Sequence, residues 1–247
     1  MARSKHIDAI LRNWPYEPGS VTARLVKASD GREVLQMRID MGVVQMEVSN
    51  RPDGARPGGA ESYFDYLMGL SVHEGTGFML TPDQCQEVDR EFAQYYHRRI
   101  CWLALREFDR AVKDADHNLS LMDFVRDRAA DDEWCLAHEQ FRPYIVFHRT
   151  QAAAMGRLEA DGPEDAIEEI NLGLEKMREI FVQHEAEEQF DDDEMVRALL
   201  EMKEWLRDEF GVQRTLEEQL ADAIADEQYE LAARLRDEIS QRRHGGI

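Results

Sequence analysis

Basic residues and cysteines are both scarce in this sequence of 247 residues. Lysine and arginine number 30 against 51 aspartate and glutamate residues, which gives a formal net charge of -21. Proteins that hold a nucleic-acid backbone concentrate positive charge, so this balance argues against direct binding of nucleic acid. The cysteines, Cys85, Cys101 and Cys135, form no Cys-x-x-Cys pair, and neither a disulfide framework nor a zinc site is expected.

Membrane and targeting signals are also missing. No segment approaches the roughly 18 consecutive apolar residues of a membrane-spanning helix. The N-terminus lacks the apolar run of a signal peptide. We therefore expect a cytoplasmic protein that makes no membrane contact.

Motifs for catalysis and metal binding are sparse as well. The histidines include no i, i+4 pair, and neither Glu-x-x-His nor His-Glu-x-x-His occurs, so no metal and no cofactor is expected. Ser71 and His73 lie close together among glycines, but His73 occupies the second glycine position of a Gly-x-Ser-x-Gly elbow. We interpret residues 69–77 as a flexible connection and expect no enzyme. A hydrolase that uses Ser71 and His73 is the weakest alternative.

The N-terminal part contains the alternation of apolar and polar residues that is typical of strands. Apolar residues occupy every second position from Leu35 to Met41, and Asp30-Gly31 has the chemistry of a hairpin turn. We predict three antiparallel strands whose apolar face must be covered by helix. The loop over 51–60 holds two Arg-Pro pairs and is interpreted as a linker or as a turn that binds an anion or a carboxylate. The expected elements are a helix over 5–14, strands over 21–27, 35–41 and 44–49, and a helix over 61–70.

From residue 81 onward the sequence is almost entirely helical. Thr81-Pro82-Asp83-Gln84 combines an N-cap, a proline at the first helical position and a glutamine that completes a capping box. Pro143 is expected to kink or split the third helix of this region. The acidic run at 185–194 is interpreted as helix ends that need no ligand. The predicted helices cover residues 82–106, 108–128, 132–160, 163–188 and 195–210.

Two segments of this helical body, 95–122 and 150–177, resemble tetratricopeptide helix pairs, with alanine and leucine at similar offsets on the second helix. The match is degenerate because Arg99 replaces the small residue expected on the first helix. Ala111 and Ala166 are also farther apart than the roughly 34-residue period of such repeats. The alternative is an unrelated helical bundle. Repeats of this kind stack into grooves that bind peptides or proteins.

The C-terminal stretch from Thr215 to Arg243 predicts two amphipathic helices with a tight turn. Thr215 and Glu218 form a capping box at the start, and Asp226 is expected as the N-cap of the second helix. Helices of about 12 residues are marginal alone, so the hairpin needs a partner surface in this chain or in another. The apolar stripes consist of Leu216, Leu220, Ala223 and Ile224, then Tyr229, Ala232, Ala233 and Ile239.

This stretch resembles the UVR motif, the helical hairpin at the C-terminus of UvrB and in the middle of UvrC, which also occurs in Clp-type ATPases and their adaptors. The resemblance rests on the runs Tyr229-Glu230-Leu231-Ala232-Ala233 and Leu235-Arg236-Asp237-Glu238-Ile239, preceded by Leu220 and Ala223. It covers a small part of the chain and so identifies a module. In that family the hairpin joins proteins to one another, and the resemblance implies protein contact here.

The sequence thus predicts a mainly α-helical protein of bacterial type. It combines a tetratricopeptide-like helical bundle with a small N-terminal antiparallel β-sheet and a C-terminal helical hairpin. The expected domains are an N-terminal sheet module over 1–80, a tetratricopeptide-like body over 81–188, a linking helix over 189–212 and a UVR-like hairpin over 213–247.

The expected function is that of a non-enzymatic adaptor or scaffold. Its partner is expected to be a UVR-containing protein or a second copy of the chain. The alternative is an accessory factor of nucleotide-excision repair, or of another nucleic-acid process, that is recruited by protein contact. The residues expected at the protein contact are Leu216, Leu220, Ala223, Tyr229, Ala232, Ala233, Leu235, Arg236, Asp237 and Ile239.

Overall fold

The computed structural model describes the backbone of residues 6–245, with side chains described for 6–220 and 222–240. This part of the chain is mainly helical and has a small three-stranded sheet near the N-terminus, so the expected fold class is confirmed. The strands are β1 (Thr22–Lys27), β2 (Glu33–Ile39) and β3 (Gly42–Glu47). The helices are α1 (Asp8–Asn13), α2 (Tyr63–Glu74), α3 (Pro82–Ala104), α4 (Phe108–Arg126), α5 (Asp132–Glu139), α6 (Arg142–Ala160), α7 (Pro163–Gln183), α8 (Glu194–Phe210), α9 (Leu216–Ala225) and α10 (Tyr229–Gly245).

Contacts divide the chain into two compact units, Met1–Ala152 and Ala153–Ile247, with the boundary inside α6. The finer division into 1–80, 81–188, 189–212 and 213–247 stays a prediction. Parts of three expected segments lie outside the described residues, namely the start of the helix over 5–14 and the two ends of the chain, 1–5 and 246–247.

The strands of the first unit form an antiparallel sheet in the order β1-β2-β3, as the alternation predicted. Leu35 pairs with Leu25 on β1 and with Met46 on β3, which places these apolar positions on one face. Ile39 and Met41 were expected in the same row, but they are 40% and 89% exposed. The reason is that the chain turns back into β3 at this point. The alternation of apolar and polar residues therefore continues in the sequence beyond the end of β2.

Helix α3 packs against β1 and β2 and supplies the helical cover that a small sheet needs. The loop over 51–60 is also tied to this helix. Arg51 is buried, and its guanidinium lies 2.9 Å from Glu87 Oε2 and 3.4 Å from Glu91 Oε2. Of the two interpretations of the loop, these contacts favour the carboxylate-binding turn, and the carboxylates belong to α3.

Helices α3 and α4 form an antiparallel pair. The capping box predicted at Thr81 and Gln84 is present at the start of α3. Arg98 then pairs with Asp114, and further along the pair Glu91 meets His117, which fixes the antiparallel register. A helix pair of this kind is consistent with the expected helical body, while its tetratricopeptide character stays a prediction.

Proline and glycine divide the later helices as expected. The helix predicted over 132–160 is split, because α5 ends at Glu139 and α6 begins at Arg142, next to Pro143. Gly162 has φ 116° and precedes Pro163 at the start of α7. Proline is tolerated there because the first helical amides have no intrahelical partner.

In the second unit, α7 packs against α8. The acidic run between them forms a 3-10 turn over Glu187–Asp192, followed by Asp193, whose side chain accepts hydrogen bonds from the first amides of α8. Gly211 ends α8 in the left-handed conformation, with φ 65°. The acidic run therefore supplies a turn and a helix cap.

Candidate functional site

The candidate site is the C-terminal hairpin, formed by α9 and α10 in the second unit. The Glu218 amide donates to Thr215 Oγ1 over 3.2 Å, and the Thr215 amide donates to Glu218 Oε2 over 3.0 Å, so the predicted capping box is present. Asp226 was expected as the N-cap of the second helix, but it is the C-cap of α9. Glu227 has φ 57°, and this left-handed residue reverses the chain before Tyr229 begins α10.

A closing seam of apolar side chains holds the two helices together. Its centre consists of Ala223, Ala232 and Leu235, which are 2%, 8% and 7% exposed. Leu216 and Leu220 pack against them and complete the seam. Ile239, on the same face of α10, is buried as well. Of the ten residues predicted at the protein contact, these have most of their apolar surface covered within the second unit.

The remaining predicted contact residues face solvent. Tyr229 is 69% exposed, and Ala233 and Arg236 share its helix face because they follow it by four and seven positions. Ile224 at the end of α9 was expected in the apolar stripe but not among the ten contact residues, and it is 55% exposed. Asp237 is exposed beside this face. We call Ile224, Tyr229, Ala233 and Arg236 the exposed set.

Glu218 ties α9 to the two preceding helices. Its carboxylate lies 2.8 Å from Lys203 Nζ and 2.5 Å from Arg207 Nη2, both on α8. The side-chain amide of Asn171, on α7, donates to the same carboxylate over 3.3 Å and accepts from Lys203 over 2.8 Å. One carboxylate thus completes the capping box and also connects the hairpin to α7 and α8.

These contacts decide the ionisation of Glu218. Burial of the carboxylate opposes ionisation, but hydrogen bonds from Lys203, the Thr215 amide and Arg207 outweigh it and lower the pKa to about 2. Glu218 is therefore charged at neutral pH, when its contacts with Lys203 and Arg207 are strongest.

The hairpin can now be compared with known proteins. Residues 211–241 match the family model of the UvrB/uvrC motif. The match includes the whole of α9, the turn, the closing seam and the exposed set, and it confirms the resemblance drawn from the sequence. The motif is found in proteins related to DNA repair and suggests protein interaction. No curated protein and no solved structure matches the chain.

Ser71 and His73 do not form a catalytic pair. They were expected in a flexible connection, but α2 extends to Glu74 and includes both residues. Residues two apart on a helix point about 200° away from each other, so the two side chains diverge. The Ser71 hydroxyl donates instead to the Met68 carbonyl oxygen over 2.8 Å.

The described part of the chain has neither a cluster of metal ligands nor a membrane-spanning helix. Among these residues, no group of three or more His, Cys, Asp or Glu side chains is placed to hold a metal ion. The helices of residues 6–245 include none with the length and apolar character needed to cross a membrane. Cys85, Cys101 and Cys135 are free thiols, and burial raises the pKa of Cys101 to about 12.

Sequence reasoning missed a buried polar network in the first unit. Glu91 is 0% exposed, and its carboxylate accepts hydrogen bonds from the Tyr63 and Phe64 amides at the start of α2, over 2.6 and 3.0 Å. His117 Nε2 lies 3.0 Å from Glu91 Oε1, and its ring stacks on Tyr95 with centroids 3.6 Å apart. These residues are far apart in sequence, so no spacing motif could have revealed them. Each polar group named here has a partner in the network.

Proposed function

We propose that this protein is a non-enzymatic adaptor whose C-terminal hairpin binds a second protein. The observation that carries the proposal is the exposure of Tyr229 and Ile224, at 69% and 55%, on a hairpin whose closing seam is already filled. Large apolar side chains that the hairpin does not use internally are the kind that protein interfaces bury. The match to the UvrB/uvrC motif supports the same function.

The exposed set is proposed to contact the partner protein. The closing seam is proposed to stabilise the fold of the hairpin. Tyr229 and Ile224 supply apolar area, and Ala233 leaves room for a partner helix to approach the backbone. Arg236 adds a positive charge, which suits an acidic group on the partner. Of the ten residues expected from the sequence, the exposed set keeps Tyr229, Ala233 and Arg236, because the buried ones have little surface left to offer, and it adds Ile224.

The proposed partner is another UVR-type hairpin, either in a different protein or in a second copy of this chain. A formal net charge of -21 makes two copies repel each other, so a different protein is the first choice. The rim of such a partner is expected to carry more lysine and arginine than this chain does.

The proposal is tested by charging the exposed set in the full chain. We expect Ile224→Asp together with Tyr229→Asp to weaken binding of a fluorescent peptide of the UvrB C-terminal hairpin at least tenfold, because the carboxylates would be desolvated at the contact. Fluorescence anisotropy measures the affinity, and sedimentation velocity measures self-association in parallel. Unchanged circular dichroism would show that the fold survives.

The matched control is Leu172→Asp with Val182→Asp, two apolar residues of α7 that are 45% and 49% exposed outside the motif. This variant is expected to bind as the unmodified chain does. The proposal is wrong if the unmodified chain neither binds the peptide nor self-associates. Equal loss in both double variants would also contradict it.

A second candidate function is that of an accessory factor in nucleotide-excision repair. The occurrence of the motif in proteins related to DNA repair favours it. The protein would join such a complex through hairpin contact, since its negative charge opposes direct contact with DNA. Binding of the UvrB peptide favours this candidate, whereas self-association without peptide binding removes its support.

A further inference from the structure

The first unit contains an apolar pocket of about 620 Å³, lined by residues of α3, by Phe141 just before α6 and by the start of α6. Its walls include the rings of Phe92, Tyr96, Phe141 and Tyr144. Phe141 and Tyr144 are 47% and 37% exposed, so this side of the pocket reaches solvent. The volume falls in the range of about 300–1,000 Å³ that is typical of small-molecule sites.

One charged residue, Arg99, lines this otherwise apolar pocket. The residue is 1% exposed, and its Nε and Nη1 atoms have no hydrogen-bond partner in the described part of the chain. Its Cζ lies 5.6 Å from the centroid of the Tyr96 ring. Burial lowers the pKa of Arg99 to about 10, against the opposing attraction of Asp114, so the side chain stays positive at neutral pH.

The neighbouring Arg98 shows what a satisfied buried arginine looks like in this protein. It forms two hydrogen bonds with Asp114, of 2.9 and 2.7 Å, and donates to the carbonyl oxygens of Glu47 and Asn50. Both carboxylate oxygens of Asp114 therefore accept hydrogen bonds from Arg98. A buried cation without such partners is destabilising, and an anion beside it removes that cost.

A second unpartnered polar atom belongs to His148, which contacts Tyr144 but is not among the residues that line the pocket. His148 Nδ1 is buried without a hydrogen-bond partner among the described residues, and the ring lies 4.1 Å from that of Tyr144, centroid to centroid. Burial and the charge of Arg99 lower the pKa of His148 to about 4. The imidazole is therefore neutral at pH 7 and adds no second positive charge beside Arg99.

We propose that this pocket binds a small apolar monocarboxylate, whose carboxylate pairs with Arg99. The planar guanidinium fork matches a carboxylate, and the aromatic walls suit an aryl or alkyl body. A phosphate monoester fits less well, because it brings nearly two negative charges to one cation among apolar walls.

The first test is isothermal titration of the full chain with 4-phenylbutyrate and with the matched neutral 4-phenylbutanamide. The acid is expected to bind at least tenfold more tightly than the amide, since only the acid supplies the missing anion. Equal affinity, or no binding of the acid at millimolar concentration, overturns the proposal.

The second test is Arg99→Met, which removes the charge and keeps most of the side-chain volume. The affinity for 4-phenylbutyrate is expected to fall at least tenfold, with the amide unaffected. The melting temperature of the unliganded variant is expected to equal or exceed that of the unmodified chain, because an unpaired buried charge has been removed. A fall of more than about 5 °C would mark Arg99 as structurally required and overturn the proposal. A variant that does not fold counts as such a fall and overturns the proposal as well.

Discussion

Glu218 serves two roles with one carboxylate. It completes the capping box of α9, and it pairs with Lys203 and Arg207 on α8. The ion pairs need the ionised form and the Thr215 amide favours it, which is why the pKa lies at about 2, below the ordinary value of 4.5. A folded-state pKa below that of the unfolded chain contributes stability that is present above pH 4.5 and lost as the pH falls toward 2.

Replacing Glu218 by glutamine is expected to lower the free energy of unfolding by about 1–2 kcal/mol at pH 7, because the ion pairs are lost while glutamine can still complete a capping box. The variant should also lose much of the decline in stability between pH 4.5 and pH 2. Urea unfolding followed by circular dichroism measures both. Glu201→Gln, at an exposed position of α8, is the control and should change stability by less than about 0.5 kcal/mol. Equal effects of the two variants would contradict this role of Glu218.

Arg99 departs from the repeat pattern in the sequence, and the structure shows where its side chain lies. The tetratricopeptide-like pattern asks for a small residue at this position, and the mismatch is visible in the sequence. The structure adds that the arginine is buried beside an apolar pocket and has unpartnered nitrogens. A local departure from a pattern therefore pointed to the residue, but its missing partners required the tertiary structure.

At the scale of single elements, the hairpin separates two groups of apolar residues that look alike in the sequence. Leu235 lies in the closing seam and is 7% exposed, whereas Tyr229 is 69% exposed. Helical spacing predicts an apolar stripe but does not say whether the neighbouring helix or another protein covers it. The contact residues expected from the sequence therefore mixed both groups.

Alanine substitutions should separate the two groups. Leu235→Ala is expected to destabilise the hairpin by about 2–3 kcal/mol, because it leaves a cavity between the two helices. Tyr229→Ala is expected to change stability by less than about 0.5 kcal/mol, because little of its surface is buried in the free chain. Hydrogen exchange of the α9 and α10 amides measures both. Faster exchange of equal size in the two variants would contradict the division into closing seam and exposed set.

At the scale of the whole molecule, the dominant property is negative charge. The formal net charge of -21 repels phosphate backbones and also other copies of the chain. Arginine side chains in the described part of the chain often pair with local carboxylates, as Arg51 does with Glu87 and Arg207 with Glu218. Such pairing leaves fewer cations available for nucleic acid than the composition alone implies.

We therefore expect the protein not to bind duplex DNA directly. Fluorescence anisotropy with a labelled duplex should show no binding at 10 μM protein in either 50 mM or 200 mM salt. A positively charged DNA-binding protein with the same number of residues serves as the control. Binding that is measurable at 50 mM and falls steeply by 200 mM salt would be the signature of phosphate contacts and would contradict this expectation.

The sequence by itself determined the local elements of this protein. The capping boxes at Thr81 and Thr215, the left-handed end of α8 at Gly211 and the break near Pro143 all act between residues a few positions apart. Such signals can therefore be recognised without knowing the fold. The same holds for the hairpin motif, whose residues are contiguous. Where a local signal was weak the prediction failed, as at α2, which continues through Gly69 and ends only at Glu74.

Only the tertiary structure decided which apolar side chains are covered and which charges are paired. Glu91 meets His117 and Glu218 meets Lys203 across helices that are separate in the sequence, whereas two nitrogens of Arg99 lack a hydrogen-bond partner among the described residues. The physical reason is that burial and ion pairing depend on distances between elements. Periodicity and capping report only the conformation within an element.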